Sequence, residues 1–107
     1  MMVHRSEDGY RTLADGIRMK TLVYGELTIL CEFKLEGGKK LPLHHHPHEQ
    51  TGYVVSGRIV LRAGDDSFEA GPGDSWCIHK DVPHEAEVLT DAVVVEVFSP
   101  VREDYLP

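Results

Sequence analysis

Four of the seven histidines in this 107-residue chain fall within five residues, in Leu43-His44-His45-His46-Pro47-His48-Glu49-Gln50. A strand projects alternate side chains to one face, so His44 and His46 are predicted to point together while His45 points away. Their Cα atoms would lie roughly 6.5–7 Å apart, close enough for two imidazoles to share one metal ion. Gln50 follows as a third partner, and His84, after Val82-Pro83, as a fourth. The competing reading is a solvated loop or an expression tag. A tag would lie at a terminus without flanking strand pattern; this stretch is central and runs into Tyr53-Val54-Val55. His45 and His48 are expected to be loop residues, and His79 to line the cavity or to support a ligand from behind. His4 belongs to the N-terminal arm.

A second group with chemical potential is Glu96, set in Val93-Val94-Val95-Glu96-Val97-Phe98. A carboxylate amid valines is costly to bury without a partner or a task. Burial would raise its pKa toward the range useful for proton transfer. Glu96 and Phe98 share parity and can face one cavity, but parity alone leaves open that the valines face inward and Glu96 faces water. Arg102 can clamp a carboxylate in bidentate fashion or lie at the surface. Tyr53 and Trp76 are expected to be packing or interface aromatics.

These groups need a rigid frame, and the rest of the chain reads as strands. Residues 1–16 form a polar arm anchored at Tyr10, Leu13 and Ile17. Ile17, Met19, Thr21 and Val23 then share one parity. Leu27, Ile29, Cys31, Phe33 and Leu35 alternate with mostly polar residues, which predicts a strand with one buried face. Strand-like runs recur to Ser99, separated by Gly, Asp and Pro turns such as Glu36-Gly37-Gly38-Lys39, Gly64-Asp65-Asp66-Ser67 and Gly71-Pro72-Gly73-Asp74. Residues 99–107 form a tail or a single helical turn. No stretch has sustained helical periodicity. Short strands at 8–12-residue spacing argue a β-sandwich or barrel in one domain, residues 1–107.

Composition narrows the partners. Lys and Arg total 11 against 18 Asp and Glu, a net charge of −7, with no basic cluster. Nucleic acid is therefore not an expected partner. No apolar run approaches the ~20 residues of a membrane span, and the N-terminus lacks the apolar core of a signal peptide. A cytoplasmic location without membrane association is expected. Cys31 and Cys77 lie in strand-like runs and are expected to pack as small apolar residues. Apolar residues on both faces of some strands, Leu30 for example, point to a homodimer.

The motifs resemble those of the cupins, small β-barrels of double-stranded β-helix, or jelly-roll, architecture. Gly38, five residues, His44-His45-His46, three residues, Gln50, six residues and Gly57 follow the first cupin motif, with glutamine in the usual glutamate position. Gly73-Asp74 through Val82-Pro83-His84 fits the second. There His79 stands where a proline is usual, Asp81 where a glycine is usual, and Val88 where the motif ends in asparagine. The resemblance implies an all-β jelly roll and one divalent transition metal (Zn, Ni, Mn, Fe or Cu) on His44, His46, Gln50 and His84. Glu49 could replace Gln50 if a bulge shifts the register. Four neutral ligands would leave the ion's charge uncompensated and make it a stronger Lewis acid.

Residues 95–106 also resemble the end of cupins from pectin and alginate catabolism that convert 4,5-unsaturated monouronates to linear keto forms. Glu96, Phe98 and Arg102 match their acidic–aromatic–arginine spacing, with glutamate where those enzymes have aspartate. The resemblance implies a carboxylated small-molecule substrate, with Glu96 moving a proton, Phe98 shaping the wall and Arg102 holding the carboxylate. The other readings are a metal-dependent dioxygenase, an isomerase of another small acid, and a non-catalytic metal- or ligand-binding module.

Overall fold

The computed structural model describes residues 1–107. Ten strands form: β1 Arg11–Ala14, β2 Ile17–Tyr24, β3 Ile29–Leu35, β4 Lys40–His44, β5 Glu49–Ser56, β6 Ile59–Ala63, β7 Asp66–Ala70, β8 Ser75–Ile78, β9 His84–Val88 and β10 Ala92–Ser99. A single 3₁₀ turn, Glu103–Tyr105, follows. Two antiparallel sheets face each other, one ordered β1-β2-β3-β10-β5-β8 and the other β4-β9-β6-β7. This is the expected all-β jelly roll. No helix is long and apolar enough to cross a membrane.

Period-two alternation builds the core. In β3, Ile29, Cys31, Phe33 and Leu35 are buried, while Leu30, Glu32 and Lys34 on the other face are only partly covered. Ile17 and Met19 of β2, Val54 of β5, and Ala92, Val94 and Phe98 of β10 join them in one cluster. Each buried side chain of Val, Ile, Phe or Met size contributes about 1.5–3 kcal/mol relative to exposure. The tail packs on this core through Val101, Tyr105 and Leu106. Thr21 Oγ1 also donates to the Tyr105 carbonyl.

Four details depart from the sequence expectations. The second half of the arm is strand β1, paired with β2 in a tight hairpin. The turn is made by Asp15-Gly16, where Gly16 has φ +74°. A register shift between Thr21 and Val23 breaks the β2 alternation, so Val23 leaves the face of Ile17 and Met19. It lines an outer hollow instead. Leu27 precedes β3 and is 74% exposed, because the reversal after Tyr24 ends before Ile29. Cys31 is buried as expected, but Cys77 is exposed, on the outer face of β8.

Candidate metal centre

Two strand ends and a loop bring the histidines together. β4 and β9 pair, and His44 lies directly opposite His84. β4 ends at His44, so His46 sits in the connection to β5 rather than on the same strand. The connection still turns His46 inward: its side chain is buried, while His45 is exposed. A backbone bond helps hold the loop, with Asp81 N–H donating to the His46 carbonyl at 2.8 Å. Asp81 has φ +63°, the left-handed region in which Asp is tolerated better than most side chains. That explains why this position can take the residue that stands for the motif's usual glycine.

The imidazoles of His44, His46 and His84 converge. Ring centroids are 4.2 Å apart for His44–His84, 5.0 Å for His46–His84 and 5.7 Å for His44–His46. One donor nitrogen from each lies within 4.8 Å of the others. In all three, Nδ1 faces a backbone carbonyl: Pro42 at 2.7 Å, His48 at 3.1 Å and Val82 at 2.8 Å respectively. A carbonyl oxygen only accepts, so the ring proton belongs on Nδ1 and Nε2 carries the free lone pair. His46 Nε2, His84 Nε2 and Gln50 Oε1 are buried without a hydrogen-bond partner. Orphaned buried acceptors are costly unless something binds them. Burial lowers the His46 pKa to about 4, aided by the charges of Arg102, His84 and His44. His84 is lowered too, chiefly by burial. Both rings therefore present lone pairs at neutral pH. This donor set can hold a divalent transition metal.

Gln50 and Glu49 separate cleanly. Gln50 is buried and lines the same cleft as His44 and His84, whereas Glu49 is exposed on the other face of β5. No bulge interrupts β5 there, since Gln50 pairs with Ile78 and Phe98 in unbroken register.

Strand β10 lies between β3 and β5 and presents Ala92, Val94, Glu96 and Phe98 inward. Glu96 therefore faces the cleft, with Oε2 accepting from Gln50 Nε2 and, at 3.4 Å, from Trp76 Nε1. The residue keeps some solvent access through the cleft. Burial of its carboxyl nonetheless pushes the pKa from 4.5 up to about 7, against the Gln50, Trp76 and Arg102 contributions that favour the anion. Phe98 is buried edge-on to His46, with centroids 5.9 Å apart. The Arg102 guanidinium lies 5.1 Å from the Phe98 centroid and 3.9 Å from that of Tyr105. Its side chain is 15% exposed and grips Asp104 through Nη2 at 2.8 Å and Nε at 3.2 Å. It is not a free surface arginine.

Some residues fall elsewhere. His79 lies outside the cleft, beside Glu49. Tyr53 is an exposed aromatic of the outer face. Trp76 packs against the core, as expected, and also donates to Glu96. Its partner in register is Gly52, which is also opposite Glu96. A Cβ on Gly52 would come within 2.3 Å of the indole. A glycine inside a strand marks such a close approach, and Gly52 was the available signal. Tyr105, Phe33, Leu41, Glu85 and Ala86 complete the lining, and only their place in the fold identifies them.

A family model for the cupin domain matches residues 31–99. The chain is a cupin. Over 102 residues it is 28% identical to the pectin degradation protein KdgF of Dickeya dadantii, spanning 94% of this chain and 93% of that protein. The structure of KdgF from Halomonas sp. superposes with a TM-score of 0.93 at 27% identity, covering 99% of this cupin and 100% of that chain. An RmlC-like cupin from Shewanella frigidimarina gives a TM-score of 0.92 at 23% identity, over 98% of this cupin and 95% of that chain. At that identity the likeness shows the fold alone.

Proposed function

We propose that this cupin is a metal-dependent enzyme that converts 4,5-unsaturated monouronates to linear keto sugars. The observation that carries the reading is Glu96, a carboxyl with a pKa near neutrality, hydrogen-bonded to Gln50 in the cleft of the histidine cluster. A carboxyl that titrates near neutrality in the cleft suits proton transfer. The likeness to two KdgF proteins, one of them named for pectin degradation, supports this substrate class.

His44, His46, Gln50 and His84 are the residues that would hold the ion. When bound there, a divalent ion supplies Lewis acidity toward a sugar oxygen, undiminished because all four donors are neutral. The conversion is a net isomerisation. The anomeric hydroxyl loses its proton, the bond from C1 to the ring oxygen breaks, and C4 gains a proton, leaving a ketone at C5. One carboxyl that is both protonated and ionised near neutral pH can accept the first proton and deliver the second, and Glu96 has that property. Gln50 and Trp76 hold its Oε2 and so orient the free oxygen. Arg102 binds the substrate carboxylate, with Phe98 and Tyr105 flanking the guanidinium.

The cleft measures about 40 Å³, room for about one water molecule. A monouronate would be held at the mouth of this cleft, with its carboxylate replacing Asp104 on the guanidinium. The reading includes a homodimer formed through the outer face of the large sheet. Tyr53 and Val55 are about half exposed there, beside Leu30 and Val93. A second copy placed on the same face would cover them.

The test is turnover of a panel of 4,5-unsaturated uronates by protein of measured metal content. Glu96→Gln should match wild type in metal content and turn over about 10²–10⁴-fold more slowly, the usual worth of a positioned acid or base. The reading fails if wild type acts on none of the uronates, or if the variant is as active as wild type.

A further inference from the structure

The outer face of the β5–β8 pair carries a second group of metal-ligating side chains. In the antiparallel register Gln50 faces Ile78 and Thr51 faces Cys77. One step further, Glu49 comes beside His79, whose Nδ1 lies 3.3 Å from Glu49 Oε1. Side chains alternate between faces, so Gln50 and Ile78 are buried inside while Glu49, Cys77 and His79 all point outward. Cys77-Ile78-His79 thus presents a thiol from β8 and an imidazole from the residue just past its end, and the neighbouring strand adds a carboxylate. Donor atoms from the three lie within 4.8 Å of one another. The β5–β8 ladder places Cys77, and Glu49 and His79 continue from its end at Gln50 and Ile78.

We infer that Glu49, Cys77 and His79 form a second metal site, for a thiolate-binding divalent ion of the zinc class. Thiolate, imidazole and carboxylate are all zinc donors, with bonds of about 2.3 Å to sulfur and about 2.0–2.2 Å to nitrogen and oxygen. A tetrahedral ion sets such donors about 3.3–3.8 Å apart, within reach of side-chain rotation at an exposed site. Three protein ligands leave the fourth position to water. The histidine cluster inside the barrel offers only nitrogen and an amide oxygen, so sulfur distinguishes the two sites. Cys77 is free to serve, and the other cysteine, Cys31, is buried in the core.

Strand β8 is the four-residue edge of the large sheet and pairs there only with β5. An ion shared by Glu49, Cys77 and His79 ties that edge to its neighbour. It would stabilise the folded chain, which alone holds the three donors together.

Cobalt(II) is the probe. Chelator-stripped protein is titrated with CoCl₂ while the near-ultraviolet sulfur-to-cobalt charge-transfer band is followed. Wild type should saturate at one sulfur-ligated cobalt per chain. The band should persist in the His44→Ala, His46→Ala double variant and vanish in Cys77→Ser. His79→Ala and Glu49→Gln should each weaken cobalt binding by about tenfold or more, the equivalent of about 1.4 kcal/mol. No band in wild type overturns the proposal, as does a band that survives in Cys77→Ser. Unchanged affinity in both His79→Ala and Glu49→Gln also overturns it, because the thiol alone would then be the ligand.

Discussion

Replacing Glu96 by glutamine in the metal-free protein should stabilise it at alkaline pH and leave it unchanged in acid. Glu96 has a folded-state pKa of about 7, against 4.5 for the ordinary carboxyl. Between those values the folded chain holds a proton that the unfolded chain has released, so wild-type stability falls as pH rises through this window. The loss is complete above pH 7 and absent below 4.5. At about 1.36 kcal/mol per pH unit it reaches roughly 3 kcal/mol, an upper value because Glu96 keeps some solvent access. Glutamine resembles the protonated acid in shape and does not titrate. Its oxygen can accept from Trp76, and its amide can donate to Gln50 Oε1, which has no partner now. His46 and His84, whose pKa values are lowered, contribute with the opposite sign, stability rising with pH. They do so in both proteins and cancel in the difference. The assay is urea unfolding of both proteins in chelator from pH 4 to pH 9. The variant should gain about 2–3 kcal/mol over wild type at pH 9 and nothing at pH 4. Parallel stability curves would show that Glu96 is solvated and has no raised pKa, and the proton-transfer role would go with it.

Removing two donors by His44→Ala with His46→Ala should abolish metal at the interior site and keep the fold, because the core rests on apolar burial. Elemental analysis and circular dichroism check this in the Cys77→Ser background, and a full complement of metal there would refute the ligand set. Arg102→Ala should raise KM for a carboxylated substrate and leave a substrate without a carboxylate unaffected. Asp104→Asn should do the reverse for the carboxylated substrate, lowering KM, because Asp104 now occupies the guanidinium; an unchanged KM would mean the substrate does not use that face. Gly52→Ala drives a methyl into the Trp76 indole and should cost about 1–3 kcal/mol by urea unfolding. Wild-type stability in that variant would contradict the close approach.

The sequence by itself determined the strand-rich architecture and most of the inward face. Alternation in β3 is clean because its polar and apolar residues separate by parity, and side chains on a strand have no other period. Strand spacing picked out His44 and His46, and the motif resemblance added Gln50 and His84; alternation along one strand does not place His46. That residue turns inward from a loop fixed by the Asp81 backbone, a long-range contact without local signature. Parity could not orient β10: Ala92, Val94 and Phe98 are apolar, and so are Val93, Val95 and Val97. Which set faces inward depends on the neighbours supplied by β3 and β5, and with them comes the environment of Glu96. The same dependence hid Trp76 and Cys77. They are adjacent on β8, and only the placement of that edge strand sends the indole to Glu96 and the thiol outward beside His79. Residue type and spacing are local properties and could be read along the chain. Burial, pKa and the meeting of side chains from distant strands are properties of the closed barrel, and only its packing set them.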